Sequence, residues 1–307
     1  MSDMNIVLCL AVLESTPEIP ITQEQFHEAQ KSRTALNAAF ALEETYDLLI
    51  SNFLELEQDA LCAAASSVVR NIHSYEDLFE VRSNSNRRVV NLLSAARLYL
   101  DHAPQHLADC AFDVEASRKL FRQATSEQYD AQFSYRFMEA LRNHVQHSGL
   151  AVHVVRHASQ WTGVEPANVL ETRLELVTEK KFLQENSKFH KKTLAEMPDS
   201  VEIIQASREY LQGLGQVHTQ VRAILDQVVP DARRTLQQLI DTYAPRNNGS
   251  TLGLSVMQID GKERKPLLPI FLNWDDVRLK LRTRNGSLGN LSRRFATGHR
   301  SLPIERQ

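Results

Sequence analysis

The chain has 307 residues, 24% charged and 42% hydrophobic, with a formal net charge of −3. That length allows one large domain or two ordinary ones with a sizeable core, and the balance is that of a globular chain rather than a disordered one. Three widely separated cysteines, Cys9, Cys62 and Cys110, support neither a disulfide framework nor a zinc knuckle.

The apolar run from Ile6 to Leu13 is too short to span a membrane. No Lys or Arg precedes Lys31, so the basic leader of a signal peptide is missing and a cytoplasmic protein is expected. Thr22 and Gln25 have the spacing of a capping box. Phe26, Leu36, Phe40, Tyr46, Leu49, Ile50 and Phe53 then keep helical spacing, with Glu43, Glu44 and Asp47 between them as a solvated face. A second helix is expected over 59–73. A third runs from Asn86 to Leu100 on Val89, Val90, Leu92, Leu93, Ala96 and Tyr99, and Pro104 ends it. A fourth spans Val114 to His147. Glycine is absent before Gly149, and Pro104 is the only proline between Pro20 and Pro166. So few breakers argue for a helical bundle over 1–150.

After Gly149 the texture changes to an α+β half, 151–307. Ala151–Arg156 reads as extended. Val169, Glu171, Arg173, Glu175 and Val177 alternate with Leu170, Thr172, Leu174 and Leu176, a period of two. Helical signals return over Glu179–Met197 and Ser200–Tyr243, with Gly213 and Gly215 as candidate interruptions. Pro245–Ser250 is a turn. Thr251–Ile259 and Leu267–Leu272 read as strands around Asp260-Gly261, followed by a strand over Val277–Thr283. The expected class is mainly α within α+β, with long helices and a small antiparallel sheet in the second half.

The richest stretch is Arg142-Asn143-His144-Val145-Gln146-His147. Phe133, Phe137, Leu141 and Val145 recur every four residues and make one apolar stripe. Arg142 and His147 lie about 140° apart around an ideal helix axis. Gly149 would close the helix as a left-handed stop. A fixed cation and a titratable base thus share a helix end.

The pattern Arg142-Asn143-x-x-x-His147 resembles the signature of HEPN domains, all-helical modules of four or five helices found in ribonuclease toxins and antiviral defence proteins. The resemblance covers roughly 22–150. It implies metal-independent endoribonuclease activity on single-stranded or flexible RNA, with a 2′,3′-cyclic phosphate product. His147 would act on the 2′-hydroxyl as general base. Arg142 would hold the scissile phosphate and offset its developing charge. Asn143 would orient the histidine or the phosphate. A homodimer through the N-terminal block is implied, as is a toxin–antitoxin or antiviral setting with an antitoxin or regulatory protein as a further partner. The other reading is a non-catalytic dimeric helical module that binds RNA or a partner protein.

His144, His147, His153 and His157 invite a metal, but no Cys or carboxylate at ligand spacing completes a set, so no metal is expected. No phosphate-binding glycine loop and no Gly-x-Ser-x-Gly elbow is present, so no cofactor is expected.

Charge is uneven. Residues 246–307 hold twelve Lys/Arg against five acids, net +7, leaving −10 for the rest. Such asymmetry points to a polyanion. Read as a strand, Val277–Arg284 would line Arg278, Lys280, Arg282 and Arg284 along one face, about 6–7 Å apart, for RNA binding. The competing expectation is a charged edge strand or docking onto the acidic N-terminal block. Arg293, Arg294, His299 and Arg300 extend the basic run. Trp274 would stack a base or lie in the core.

Overall fold

The computed structural model of the chain describes residues 5–12, 16–70, 74–166, 168–261 and 263–296. Thr22 and Gln25 form the expected capping box: Thr22 Oγ1 accepts from Gln25 N at 3.1 Å, and Gln25 Oε1 accepts from Thr22 N at 2.8 Å. Helix α1 follows, Gln23–Val69. It takes in the expected second helix, because the intervening Leu54-Glu55-Leu56-Glu57-Gln58 contains only good helix formers and no breaker. Residues 71–73, assigned to that second helix, lie outside the described residues.

Helix α2, Tyr75–Cys110, starts much earlier than expected and is not ended by Pro104. Ser74 and Asp77 cap its start by exchanging backbone and side-chain hydrogen bonds. On either side of the proline, Ala103, Leu107 and Cys110 are buried, and that burial carries the helix through. The expected fourth helix is broken in two, α3 (Val114–Ala131) and α4 (Phe133–His147). Gln132 is extended, at φ −124 and ψ 121. Arg136 Nη1 donates to the carbonyls of Tyr129 and Asp130 at 2.7 and 2.8 Å, filling two acceptors that a helix end leaves open.

Strands β1 (Asn5–Leu10), β2 (Ile19–Pro20), β6 (Leu254–Asp260) and β7 (Glu263–Pro269) form an antiparallel sheet ordered β2-β1-β6-β7. Asn5 pairs with Ile259 and Leu10 with Leu254. The turn at Gly261, φ 58, joins β6 to β7, so the hairpin expected around Asp260-Gly261 is present. The second sheet is also antiparallel, ordered β3-β4-β5, with β3 over Val154–Thr162, β4 over Val169–Glu179 and β5 over Ser200–Glu202. Short helices α5 (Lys180–Gln184) and α6 (Lys191–Glu196) precede α7 (Ile203–Leu225) and α8 (Val229–Tyr243). Neither Gly213 nor Gly215 interrupts α7. Gly213 instead faces the Tyr135 ring, where a Cβ would lie 3.0 Å from Cδ2.

The strand expected over Val277–Thr283 is a helix, α9 (Asn273–Arg284). Its Lys, Leu and Arg are good helix formers. Asp275 and Asp276 occupy its first turn and Arg282 and Arg284 its last, the arrangement a helix dipole favours. With 65% helix, nine helices and two small antiparallel sheets in the described residues, the chain is mainly α, with one more sheet than expected.

Contacts divide the chain into two units. One comprises Met1–Tyr46, Leu100–Phe121 and Thr219–Gly286; the other comprises Asp47–Tyr99, Arg122–His218 and Ser287–Gln307. The expected boundary at 150 falls inside the second unit. Its core holds Leu49, Phe53 and Leu56 of α1, Leu92, Leu93 and Tyr99 of α2, Phe137, Met138 and Leu141 of α4, and Ile203, Tyr210 and Leu214 of α7. Each such side chain contributes about 1.5–3 kcal/mol on burial. The rings of Tyr135 and Tyr210 meet edge to face at 4.9 Å, so α4 packs on a helix from the second half of the sequence.

Candidate functional site at the end of helix α4

Two faces of α4 diverge at its C-terminal end. Leu141 and His144 point inward, His144 being only 5% exposed. Asn186 Nδ2 donates to His144 Nδ1 at 2.9 Å, and the Phe189 ring meets the imidazole at 6.0 Å. Burial pushes the His144 pKa down. His144 is therefore an anchor. Asn143 and His147 lie on the outer side and are exposed. They are i,i+4 neighbours, about 6 Å apart at Cβ.

Arg142 is half-buried, and its Nη1 donates to Asn143 Oδ1 at 3.0 Å. Among the described residues no carboxylate pairs with it. In the same unit Arg88 pairs with Glu55 and Asp59, Arg136 with Glu196 and Arg208 with Glu57, while Arg82 contacts the His153 carbonyl and the Phe79 ring, and Arg87 the Asn84 amide oxygen. The guanidinium, the Asn143 amide and the His147 imidazole thus form a short polar run along the end of α4.

Gly149 does not close the helix by a left-handed turn. Ser148 caps it at φ −142 and ψ −39, and Ser148 N and Gly149 N both donate to His144 O, at 2.8 and 3.2 Å. Gly149 is required for another reason. A Cβ there would sit 2.8 Å from His144 Nε2, so only glycine lets the chain turn over the buried imidazole. Beyond it, Asn86 of α2 fastens the backbone: its Oδ1 accepts from Ala151 N and Val152 N at 2.9 and 2.8 Å, and its Nδ2 donates to Val152 O at 3.0 Å. The sequence marks Asn86 only as a helix start; a polar residue one turn before Val89 and Val90 on an apolar stripe is the signal that points to this role.

The four cations expected in one row are not in one row. On α9, Arg278 is 3% exposed, and its Nε and Nη2 donate to Asp275 at 2.5 and 3.0 Å. Arg233 binds the same buried carboxylate. Arg282 forms a two-bonded pair with Asp226, which holds that carboxyl below the usual range. Lys280 and Arg284 are exposed one turn apart. Helical rather than extended backbone separates the pairs, because alternate residues on a helix lie about 200° apart. Of the wider basic run, His299 and Arg300 lie outside the described residues. Trp274 is half-buried; Arg33 stacks on its ring at 5.5 Å and Phe40 meets its edge at 6.3 Å. Glu43, expected on a solvated face, is 1% exposed and bound by Arg222 through Nε at 2.8 Å and Nη2 at 2.6 Å. Glu44 does face solvent.

Among the described residues no cluster of His, Cys, Asp or Glu could hold a metal ion, and no helix is long and apolar enough to cross a membrane. No family model, curated protein or solved structure matches the chain.

Proposed function

We propose that the chain is a metal-independent endoribonuclease of the HEPN type, cleaving single-stranded or flexible RNA in a toxin–antitoxin or antiviral defence setting. The observation that carries this reading is the state of Arg142: a guanidinium with no carboxylate partner among the described residues, hydrogen-bonded to Asn143, with an exposed histidine one turn beyond that asparagine. A cation left unneutralised beside a titratable base suits a phosphodiester. His147 takes the proton of a 2′-hydroxyl, the 2′-oxygen bonds to phosphorus, and the bond to the 5′-oxygen breaks as that oxygen takes a proton from the imidazolium or from water, leaving a 2′,3′-cyclic phosphate and a 5′-hydroxyl. Arg142 stabilises the charge that gathers on the phosphoryl oxygens. Asn143 holds the arginine in place.

The test is cleavage of a fluorescent single-stranded RNA. His147→Ala should lower the rate by about 10²–10⁴ and Arg142→Ala by roughly 10²–10³. The double variant should be little worse than the poorer single one, since both groups act on one transition state. EDTA should leave the wild-type rate unchanged. Full cleavage by the His147→Ala protein would overturn the mechanism. Binding of RNA without cleavage by the wild type would leave the non-catalytic module as the reading.

A further inference from the structure

We propose that the free edge of β3 pairs antiparallel with β3 of a second copy of this chain, with Ala158 at the two-fold axis. The strand has nine residues, Val154–Thr162, and is the outer strand of its sheet. It pairs with β4 along its whole length, from Val154↔Val177 to Thr162↔Val169. β5 covers only Val177–Glu179 of β4, so most of the hairpin is a two-stranded ribbon, which is marginal in water on its own. Exposed edges of this length are usually blunted by Lys, Pro or a bulge. β3 contains neither Lys nor Pro, and its register with β4 is unbroken.

One face of the ribbon carries Val155, His157, Ser159 and Trp161 on β3 opposite Leu176, Leu174, Thr172 and Leu170 on β4, apolar at both ends with a Ser159–Thr172 hydroxyl pair at 3.0 Å between them. Near the base Leu174 and Leu176 are buried, but at the far end Trp161 is 67% exposed and its partner Leu170 47%. The opposite face carries Arg156, Gln160, Glu171, Arg173 and Glu175. The stretch 154–179 holds two arginines and four glutamates, which disfavours a polyanion on this surface and leaves protein as the occupant.

A second copy fits by register. A two-fold axis normal to the sheet pairs residues of the same face, and only the axis through Ala158, the central residue, pairs all nine. Val155 then faces Trp161 of the second copy, His157 faces Ser159, and Arg156 faces Gln160. No like charges meet. The exposed Trp161–Leu170 pair of each copy continues into the other copy's Val155 and buried Leu176, making one apolar row across four strands. The strand lies outside the block from which the HEPN resemblance draws its dimer, and the pairing stands whether or not the protein cleaves RNA.

Light scattering on the full chain at micromolar concentration tests it, with circular dichroism to verify folding. Wild type should be a dimer. Val155→Lys with Trp161→Lys places ammonium groups opposite each other and should weaken the dimer at least tenfold. Val155→Lys with Trp161→Glu turns the same contacts into ion pairs and should restore it. Positions 155 and 161 are six apart on one strand and do not touch within a copy, so only the proposed register explains the rescue. A monomeric wild type, a dimer indifferent to the Lys pair, or a Lys/Glu chain no tighter than the Lys/Lys chain would each overturn the proposal.

Discussion

His144 and His147 sit one turn apart on α4 in opposite surroundings, and the difference has a consequence for stability. His144 accepts from Asn186 Nδ2 while Lys188 N donates to Asn186 Oδ1, so the amide orientation is fixed and Nδ1 must stay unprotonated. Burial lowers the His144 pKa below the usual 6.5 and, with the neighbouring His144, also lowers that of His153. Below about 6.5 the unfolded chain binds more protons than the folded one. The stability these groups supply is therefore complete above that pH and is lost as pH falls from 6.5 toward their depressed folded values. Urea midpoints at pH 7.5 and 5.5 should differ for the wild type, and His144→Gln should reduce that difference. An equal pH dependence in the variant would show that His144 is not the group responsible. Glutamine is the suitable replacement because its amide can keep an acceptor toward Asn186.

At the scale of elements, what was legible depended on how local its cause is. The Thr22–Gln25 box, the Asp260-Gly261 turn and the period of two in β4 each involve residues within a few positions, and each appears where it was read. The ends of α2 and the break before α4 are set elsewhere. A side chain four positions into α4, Arg136, satisfies the end of α3, and no breaker residue marks Gln132. Strict alternation in Val277–Arg284 fits a strand, yet the helix wins because Asp275 then reaches both Arg278 and Arg233; the cost is half-exposed Val277 and Leu279. The candidate site was legible as a pattern, but its supports, Asn86 and the Gly149–His144 contact, lie in tertiary structure. Pro104 gives a direct test at this scale. It sits inside α2, where it lacks the amide that would bond the Leu100 carbonyl and its ring crowds the preceding turn. Pro104→Ala should raise stability by about 1–3 kcal/mol in urea titration. A lower or unchanged midpoint would mean that the helix relieves the proline locally.

Across the whole molecule, the +7 of residues 246–307 is not all available to a partner. Arg264 pairs with Glu18 and Arg282 with Asp226, both carboxylates from outside the segment, while Arg278 is neutralised within it by Asp275. Part of the charge asymmetry is thus cancelled in the fold, Glu18 lying in the N-terminal block and Asp226 beyond it. Lys280 and Arg284 are the two of the four cations that are exposed on α9. If they contribute to the proposed activity, replacing both with Gln should weaken binding of a fluorescent single-stranded RNA and flatten its salt dependence. Each phosphate contact contributes about 0.7 to the slope of log K against log salt, so two contacts remove about 1.4. Cleavage at saturating RNA should be nearly unchanged, because neither residue belongs to the proposed catalytic set. Arg278→Gln should behave differently. It leaves the buried Asp275 with Arg233 alone, and breaking such a pair costs about 3 kcal/mol, a loss visible in urea titration before any RNA is added. If the Lys280/Arg284 variant binds RNA with the wild-type salt slope, helix α9 is a structural element whose charges serve its own packing.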